Sequence, residues 1–362
     1  TDMTKTSATV YTYNYVVPEG NGSGTISLST GTDLAGNAVV TTPTSGASFT
    51  VDNTAPTASI TYNSDGPYKN YDNIVITATF NEAMVDSPEP QITITGTGIA
   101  TVNPTNMTKT SATVYTYNYV VPEGNGTGTI ALSIGTDLAG NTIVTNPSNR
   151  TFTVDNIAPT ISTIITSVTN DSYINAGDSI PLTATMSEYI LSGGTITATT
   201  NILNGGNPKT VVLTADSTGN TLIGVYAIVA GDGTNGSAVK ITGYTTNVTD
   251  LASNPLIAGI SDISIVNNVY VDTTAPTAAI TYDSAGPYKS GDTVTITATF
   301  NEAMADSPVP QIAITGSNSG IVTVDPTNMS NLSPTVYTYN YTASTGDGLA
   351  TISLSNGTDL AG

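Results

Sequence analysis

The residues able to do chemistry in this chain are acids, and they return in a fixed pattern. The loop Asp33-Leu-Ala-Gly-Asn37 recurs at Asp137 to Asn141. It is altered to Asp250-Leu-Ala-Ser-Asn254 and is present again as Asp359-Leu-Ala-Gly362. A second motif, Phe80-Asn-Glu-Ala-Met84, returns as Phe300-Asn-Glu-Ala-Met304 and more loosely as Met186-Ser-Glu-Tyr-Ile190. A third, Val51-Asp52-Asn53-Thr54-Ala55-Pro56, returns around Asp155-Asn156 and Asp272-Thr273. Carboxylates and amides in glycine-containing loops are oxygen donors. Six to eight such oxygens suit Ca²⁺, whereas Mg²⁺ wants strict octahedral geometry and keeps its water. Plain turn chemistry is the competing account, because Asp, Gly and Asn all favour turns on their own.

Composition narrows the choice. The chain has 362 residues, 27 acidic against 7 basic, for a net charge of −20. That balance excludes a nucleic-acid partner, whose phosphates need Lys and Arg, and disfavours anionic membrane surfaces. There is no Cys, His or Trp. Disulfides, thiolate metal sites and histidine general-base chemistry are therefore absent. No nucleophile elbow, P-loop or EF-hand pattern occurs. Paired carboxylates could serve a glycosidase, but here they recur in every repeat, which suits structure better than one active site. No apolar run approaches the ~18 residues of a membrane span. The sequence opens and closes in the middle of motifs, which reads as a piece of something longer.

Met3 to Gly22 returns unchanged at Met107 to Gly126. Ala55-Pro-Thr triplets recur at Ala158 and Ala275, about 103 and then about 117 residues apart. The expected organisation is the C-terminal part of one domain (1–52), a complete domain (53–155), a complete divergent domain (156–272), and a domain lacking its last strand (273–362). Within a repeat, period-2 alternation predicts strands and no helix. Ile74, Ile76, Ala78 and Phe80 share one strand face, as do Ile180, Leu182, Ala184 and Met186, and Val294, Ile296, Ala298 and Phe300. Further strands are expected at about 57–62, 91–95, 98–102, 113–121, 127–134 and 150–154. Seven short strands in ~100 residues predict an all-β, two-sheet immunoglobulin-like sandwich, repeated in a linear array. Tyr115, Tyr117 and Tyr119 share one face. Core packing is favoured over a sugar-binding platform, because the aligned residues of the divergent copy are Tyr226, Ile228 and Ala230.

The usual course of such a sandwich brings the entering linker and two loops to one pole. Glu82 keeps the inward phase of its strand, and a carboxylate aimed inward needs a counter-charge. The candidate metal ligands are therefore Asp52, Asn53, Glu82, Asp137 and Asn141 at the first pole. Asp155, Asn156, Glu188, Asp250 and Asn254 form the second set. Asp272, Glu302 and Asp359 form the third, with Thr273 replacing the linker Asn. The opening segment offers Asp33 and Asn37. Asp86 and Asp306 rank lower. Asp72, Asp178 and Asp292 either cap a turn or reach a neighbouring ion. Sequons such as Asn106-Met-Thr108, Asn125-Gly-Thr127 and Asn149-Arg-Thr151 permit glycosylation.

The combination of Val51-Asp52-Asn53-Thr54-Ala55-Pro56, Phe80-Asn-Glu-Ala-Met84 and Asp137-Leu-Ala-Gly-Asn141 resembles the bacterial Ig-like repeats of giant surface adhesins and S-layer-type proteins. The resemblance covers essentially the whole chain. It implies β-sandwich domains joined end to end on the outside of a cell, in contact with further copies of the same repeat. The linker is also similar to that of cadherins, which implies stiffening by calcium through Asp52, Asn53, Asp155 and Asn156. The expected function is an extracellular, cell-surface stalk. A self-assembling S-layer or filament subunit and a carbohydrate-binding module are the alternatives. Surface glycans or other cells would then be met by regions outside this segment.

Overall fold

The structure is a computed structural model describing residues 1–258, 262–317 and 320–362. The described residues contain no helix. The chain divides into two compact units, Thr1–Ile157 with Ala252–Asn254, and Ala158–Leu251 with Pro255–Gly362.

In the first unit, residues 58–154 fold as a sandwich of two four-stranded antiparallel sheets. One sheet orders Ala58–Tyr62, Asn73–Phe80, Val114–Val120 and Thr108–Lys109. The other orders Thr151–Val154, Gly126–Ser133, Gln91–Thr95 and Val102–Asn106. Alternation sets the faces: Ile74, Ile76, Ala78 and Phe80 are all buried, and the intervening residues are more exposed. Tyr115 and Tyr119 are buried, and the half-buried Tyr117 packs on the same core. The strand expected at 98–102 lies instead at Val102–Asn106. Gly98, with φ 71°, turns the chain just before it. Pro104 sits on that strand without breaking a ladder, because the strand is at the sheet edge.

Phe152 closes the sandwich. Its ring meets Tyr62, Tyr68 and Tyr119 edge-on, at centroid distances of 6.0, 6.3 and 5.7 Å. The far end of its ring covers Gly128, where a Cβ would fall 2.3 Å from Cζ. In the preceding residues 1–52, Thr4–Lys5 pairs with Tyr11–Thr12 and Gly22–Thr25 with Ser48–Val51, and Thr32 bridges Ala38. Here Tyr11 is 50% exposed, whereas its repeat counterpart Tyr115 is fully buried.

The second unit holds two further cores. Eight strands between Ile161 and Val266 share one sheet, and Ser172–Ile174 pairs in parallel with Val269–Val271 as a separate two-stranded sheet. In the larger sheet, the hairpin Thr195–Asn204 and Asn207–Thr214 turns through Gly205 and Gly206, both at positive φ, as a two-residue hairpin requires. Asn207–Thr214 also pairs with Gly219–Ala227, so the sheet closes on itself around its core. Residues 278–355 repeat the first sandwich up to the counterpart of Gly126–Ser133. One sheet is Ala278–Tyr282, Thr293–Phe300, Val336–Thr342 and Ser330–Ser333. The other has three strands, Val324–Asn328, Gln311–Gly316 and Ala350–Ser355.

Candidate metal centre

The Asp137 loop is organised by its own aspartate. Asp137 Oδ1 accepts the Ala139 and Asn141 backbone N–H groups, both at 2.8 Å, and Oδ2 accepts the Asn141 side-chain amide at 2.8 Å. The turn chemistry expected of this motif is thus present. Its counterparts keep the pattern: Asp33 accepts Ala35, Asn37 and the Asn37 amide, and Asp359 accepts Ala361 and Gly362. Burial separates these loops. Asp137 is 1% exposed and Asp359 6%, while Asp33 and Asn37 lie on the open surface.

Two further elements reach the buried loop. Met84 bridges Asp137, and Val85 N–H donates to Thr136 O at 3.0 Å, so the loop carrying Glu82 is stitched alongside. The Asn141 amide donates to Asp52 O at 3.1 Å, and Val144 N–H to Pro56 O at 2.9 Å, which fixes the linker. Carboxylate oxygens of Asp52, Glu82 and Asp137 consequently lie within 4.8 Å of one another. In the second unit, Met304 bridges Asp359, and oxygens of Asp272, Glu302 and Asp359 meet the same limit.

The electrostatics follow from this crowding. Burial raises the Glu82 carboxyl above its ordinary value, and the negative charges of Asp52 and Asp137 push it further. Burial likewise raises Glu302, with Asp272 and Asp359 adding to it. Asp137 goes the other way: burial pushes it up, but the Asn141, Ala139 and Gly140 hydrogen bonds outweigh that and lower it. Among the described residues, the Lys/Arg–carboxylate ion pairs are Lys109 with Asp86 and Lys240 with Asp262, and neither includes an acid of these clusters. A divalent cation could supply the missing charge. Two oxygens bound to one Ca²⁺ at ~2.4 Å can be no more than about 5 Å apart, and the spacing here satisfies that.

Asn81 and Asn301 position the glutamates. Asn81 Oδ1 accepts Thr57 N–H at 2.7 Å, and its amide donates to Glu82 Oε1 at 3.2 Å. Asn301 does the same for Thr277 and Glu302, at 2.6 and 3.2 Å. Both stand in the Phe-Asn-Glu-Ala-Met motif, where sequence reasoning singled out the Glu alone. In the divergent copy Ser187 accepts Thr160 N–H instead, at 2.9 Å.

The linker asparagines point elsewhere. The Asn53 amide donates to Gly20 O and its backbone N–H to Asn21 Oδ1. Asn156 repeats this with Gly124 and Asn125. Each side chain is thus tied back to the loop before its own linker. Thr273 performs the same tether: its hydroxyl donates to Asp232 O at 2.8 Å and accepts Gly231 N–H at 2.9 Å. Asp232 itself is buried, held by Tyr226, Asn204 and Val229 N–H at 2.8, 2.9 and 3.0 Å.

The remaining candidates are placed within their own units. In the first, Asp155 N–H donates to Tyr68 O at 2.8 Å and Asn254 donates to Asp155 O at 2.9 Å, as Asn141 does to Asp52. In the second, Asp250 is buried and bridged to Ile190, with Glu188 half-buried nearby on the Ser179–Ile190 strand. Asp72, Asp178 and Asp292 cap turns, each accepting a backbone N–H three residues earlier at 2.9 Å. Asp86 pairs with Lys109, whose hydrogen bond lowers its carboxyl.

No family model matches the sequence, and the search of curated proteins finds no relative. Among solved structures, the chain is similar to the Escherichia coli adhesin FdeC, with 14% identity over 83% of this chain and 93% of that one, at a TM-score of 0.33. It is also similar to the FN1–FN3 domains of chicken CNTN1, with 10% identity, 85% and 94% coverage, and a TM-score of 0.26. A stretch of titin domains gives 11%, 84% and 94%, and a TM-score of 0.23. The immunoglobulin-like sandwich rests on the strand order itself.

Proposed function

We propose that this chain is a segment of an extracellular structural stalk whose tandem sandwiches are stiffened by Ca²⁺ where a linker meets its sandwich. The observation that supports this most is the meeting of three carboxylates from three separate segments, one of them the linker, without a basic partner among the described residues. An ion held by Asp52, Glu82 and Asp137 cross-links linker to domain and removes a hinge. Without it, the facing carboxylates repel. The repeats are read as bacterial Ig-like modules with cadherin-like linkers, bounded as 1–52, 53–155, 156–272 and 273–362. Their place on the cell surface, and an adhesive contact supplied elsewhere, belong to the same reading. Burial of Tyr115 and Tyr119 weighs against a sugar platform, and repetition of the acid set weighs against an enzyme.

Calorimetric titration with CaCl₂ tests the reading. Glu82→Gln and Glu302→Gln should each remove one bound ion. Small-angle scattering should show a more flexible particle in EDTA. Heat changes indistinguishable from buffer, together with scattering profiles that coincide with and without chelator, would sink it.

A further inference from the structure

The residue after a linker aspartate is held by the sandwich before it, and two sandwiches hold it in different ways. In residues 58–154 the loop Gly124-Asn125-Gly126 lends a side chain to the linker's backbone: Asn125 Oδ1 accepts Asn156 N–H at 2.6 Å. The Asn156 amide donates to Gly124 O, and its Oδ1 accepts Asn70 N–H at 2.6 Å from the turn that Asp72 caps. In residues 161–271 the loop reads Gly231-Asp232-Gly233, and the roles are reversed. The Asp232 carboxylate turns inward, so the linker supplies the side chain. Thr273 Oγ1 accepts Gly231 N–H at 2.9 Å and donates to Asp232 O at 2.8 Å.

Three positions change together, and the supply of donors and acceptors explains each. The Tyr226 hydroxyl, the Asn204 amide and Val229 N–H all donate to Asp232, at 2.8, 2.9 and 3.0 Å. A carboxylate accepts all three, whereas a carboxamide would turn N–H groups on one of them. With Asp232 committed inward, a linker asparagine finds no acceptor like Asn125. A hydroxyl, donor and acceptor at once, fits the N–H and carbonyl that the loop presents instead. The third position is Asn70, whose counterpart is Ala176. Ala176 N–H is served locally by Asn175 Oδ1 at 2.6 Å, so it needs no linker amide.

We propose that these contacts form a clasp that fixes a linker to the sandwich before it without an ion, in two forms that do not interchange: Asn125 with Asn156, and Asp232 with Thr273. The second form also places a metal-site acid. Gly233 bridges Asp272, and Asp272 N–H donates to Ile174 O at 3.1 Å, with the Asp272 carboxylate within 4.8 Å of Glu302 and Asp359. Asp232 and Thr273 are thus positioning residues for the linker carboxylate. The clasp itself stands without calcium. Only its division of labour with the ion, clasp towards the preceding sandwich and ion towards the following one, rests on the function proposed above. A joint stripped of its ion would keep the linker on the preceding sandwich and swing beyond it.

Hydrogen exchange of the 362-residue chain in EDTA, read at single residues by mass spectrometry, tests this. The Gly231, Asn70 and Asn156 amides should be protected. Thr273→Val, which removes the hydroxyl at nearly constant shape, should speed exchange at Gly231 at least tenfold. Thr273→Ser should restore the slow rate. Thr273→Asn should fail as Thr273→Val does, and Asn156→Thr should release the Asn70 amide. Amides of Asn73–Phe80 and Thr293–Phe300 should not change in these variants, which separates an opened clasp from a damaged fold. Protection that appears only after CaCl₂ is added overturns the proposal, and so does exchange of the two linker residues without loss. If calorimetry finds no calcium while protection in EDTA persists, the ion reading falls and the clasp stands.

Discussion

Residues 58–154 and 278–355 are two editions of one repeat, and position 362 falls short of where the counterpart of Thr151–Val154 would lie. Their inner ladders match: Ile76 faces Tyr117 as Ile296 faces Tyr339, and Ile94 faces Ile130 as Ile314 faces Ile352. Yet Ile130 and Leu132 are fully buried while Ile352 and Leu354 are only partly so. Ala58 is buried and Ala278 exposed. Tyr62 is half-covered and Tyr282 is 52% exposed. The affected residues sit on both sheets, because Thr151–Val154 touches the rim of each. Alternation builds two sheets in either copy, and four residues decide whether the space between them becomes a sealed core.

The sharpest way to break the contrast is Phe152→Ala, which should open the core of the first sandwich. Loss of a buried aromatic of this kind costs about 3–5 kcal/mol, read as a lowered denaturation midpoint. A loss under about 1 kcal/mol would show that Phe152 does not close the core. Calcium comes next. If the acid clusters hold it, free Ca²⁺ at a hundredfold over Kd adds about 2.7 kcal/mol per site, and Glu302→Gln should abolish that gain in the fourth repeat alone.

Acidity should act in opposite directions with and without the ion. Glu82 and Glu302 have carboxyls raised above their ordinary 4.5. A raised acid favours the folded state when protonated, and this contribution fades as pH rises through the raised value. In EDTA, acidifying from neutrality towards pH 4.5 should therefore stabilise both poles. In calcium the same acidification should weaken binding, since protons compete for the same oxygens. Identical melting trends in the two buffers would break the proposed link between these acids and the ion. The smallest effect concerns Tyr115. Its hydroxyl is buried without a hydrogen bond, whereas its counterpart Tyr337 accepts Asn331 at 3.4 Å. Tyr115→Phe should be neutral or stabilising by up to ~1 kcal/mol, and Tyr337→Phe slightly destabilising. Equal and large losses in both would contradict the difference.

Much of this was legible in the chain itself. The phase of Ile74 to Phe80 carries over to the buried face without a slip, because a period of two admits only one inward set. The gathering of Asp52, Glu82 and Asp137 followed from sandwich topology, which returns distant loops to one end. The direction of the linker asparagines did not follow. An amide both donates and accepts, and only the backbone path shows that Asn53 and Asn156 reach back to Gly20 and Gly124. The closed sheet between Ile161 and Val266 was equally hidden: alternation says which side of a strand is apolar, and nothing about which strand lies beside it. Asn81 stood in plain view, but its value lies in bridging Thr57 and Glu82, 24 residues apart to one and adjacent to the other.

The hydrogen bonds inside the Asp137 loop carry one more implication. Its backbone is tied down by Ala139 and Asn141, so the chain itself sets the loop's shape, and the ion proposed above would meet a loop already in place. Capture then needs no slow closure of a floppy segment. Stopped-flow traces should show a single fast phase, paced by the shedding of water from the arriving ion.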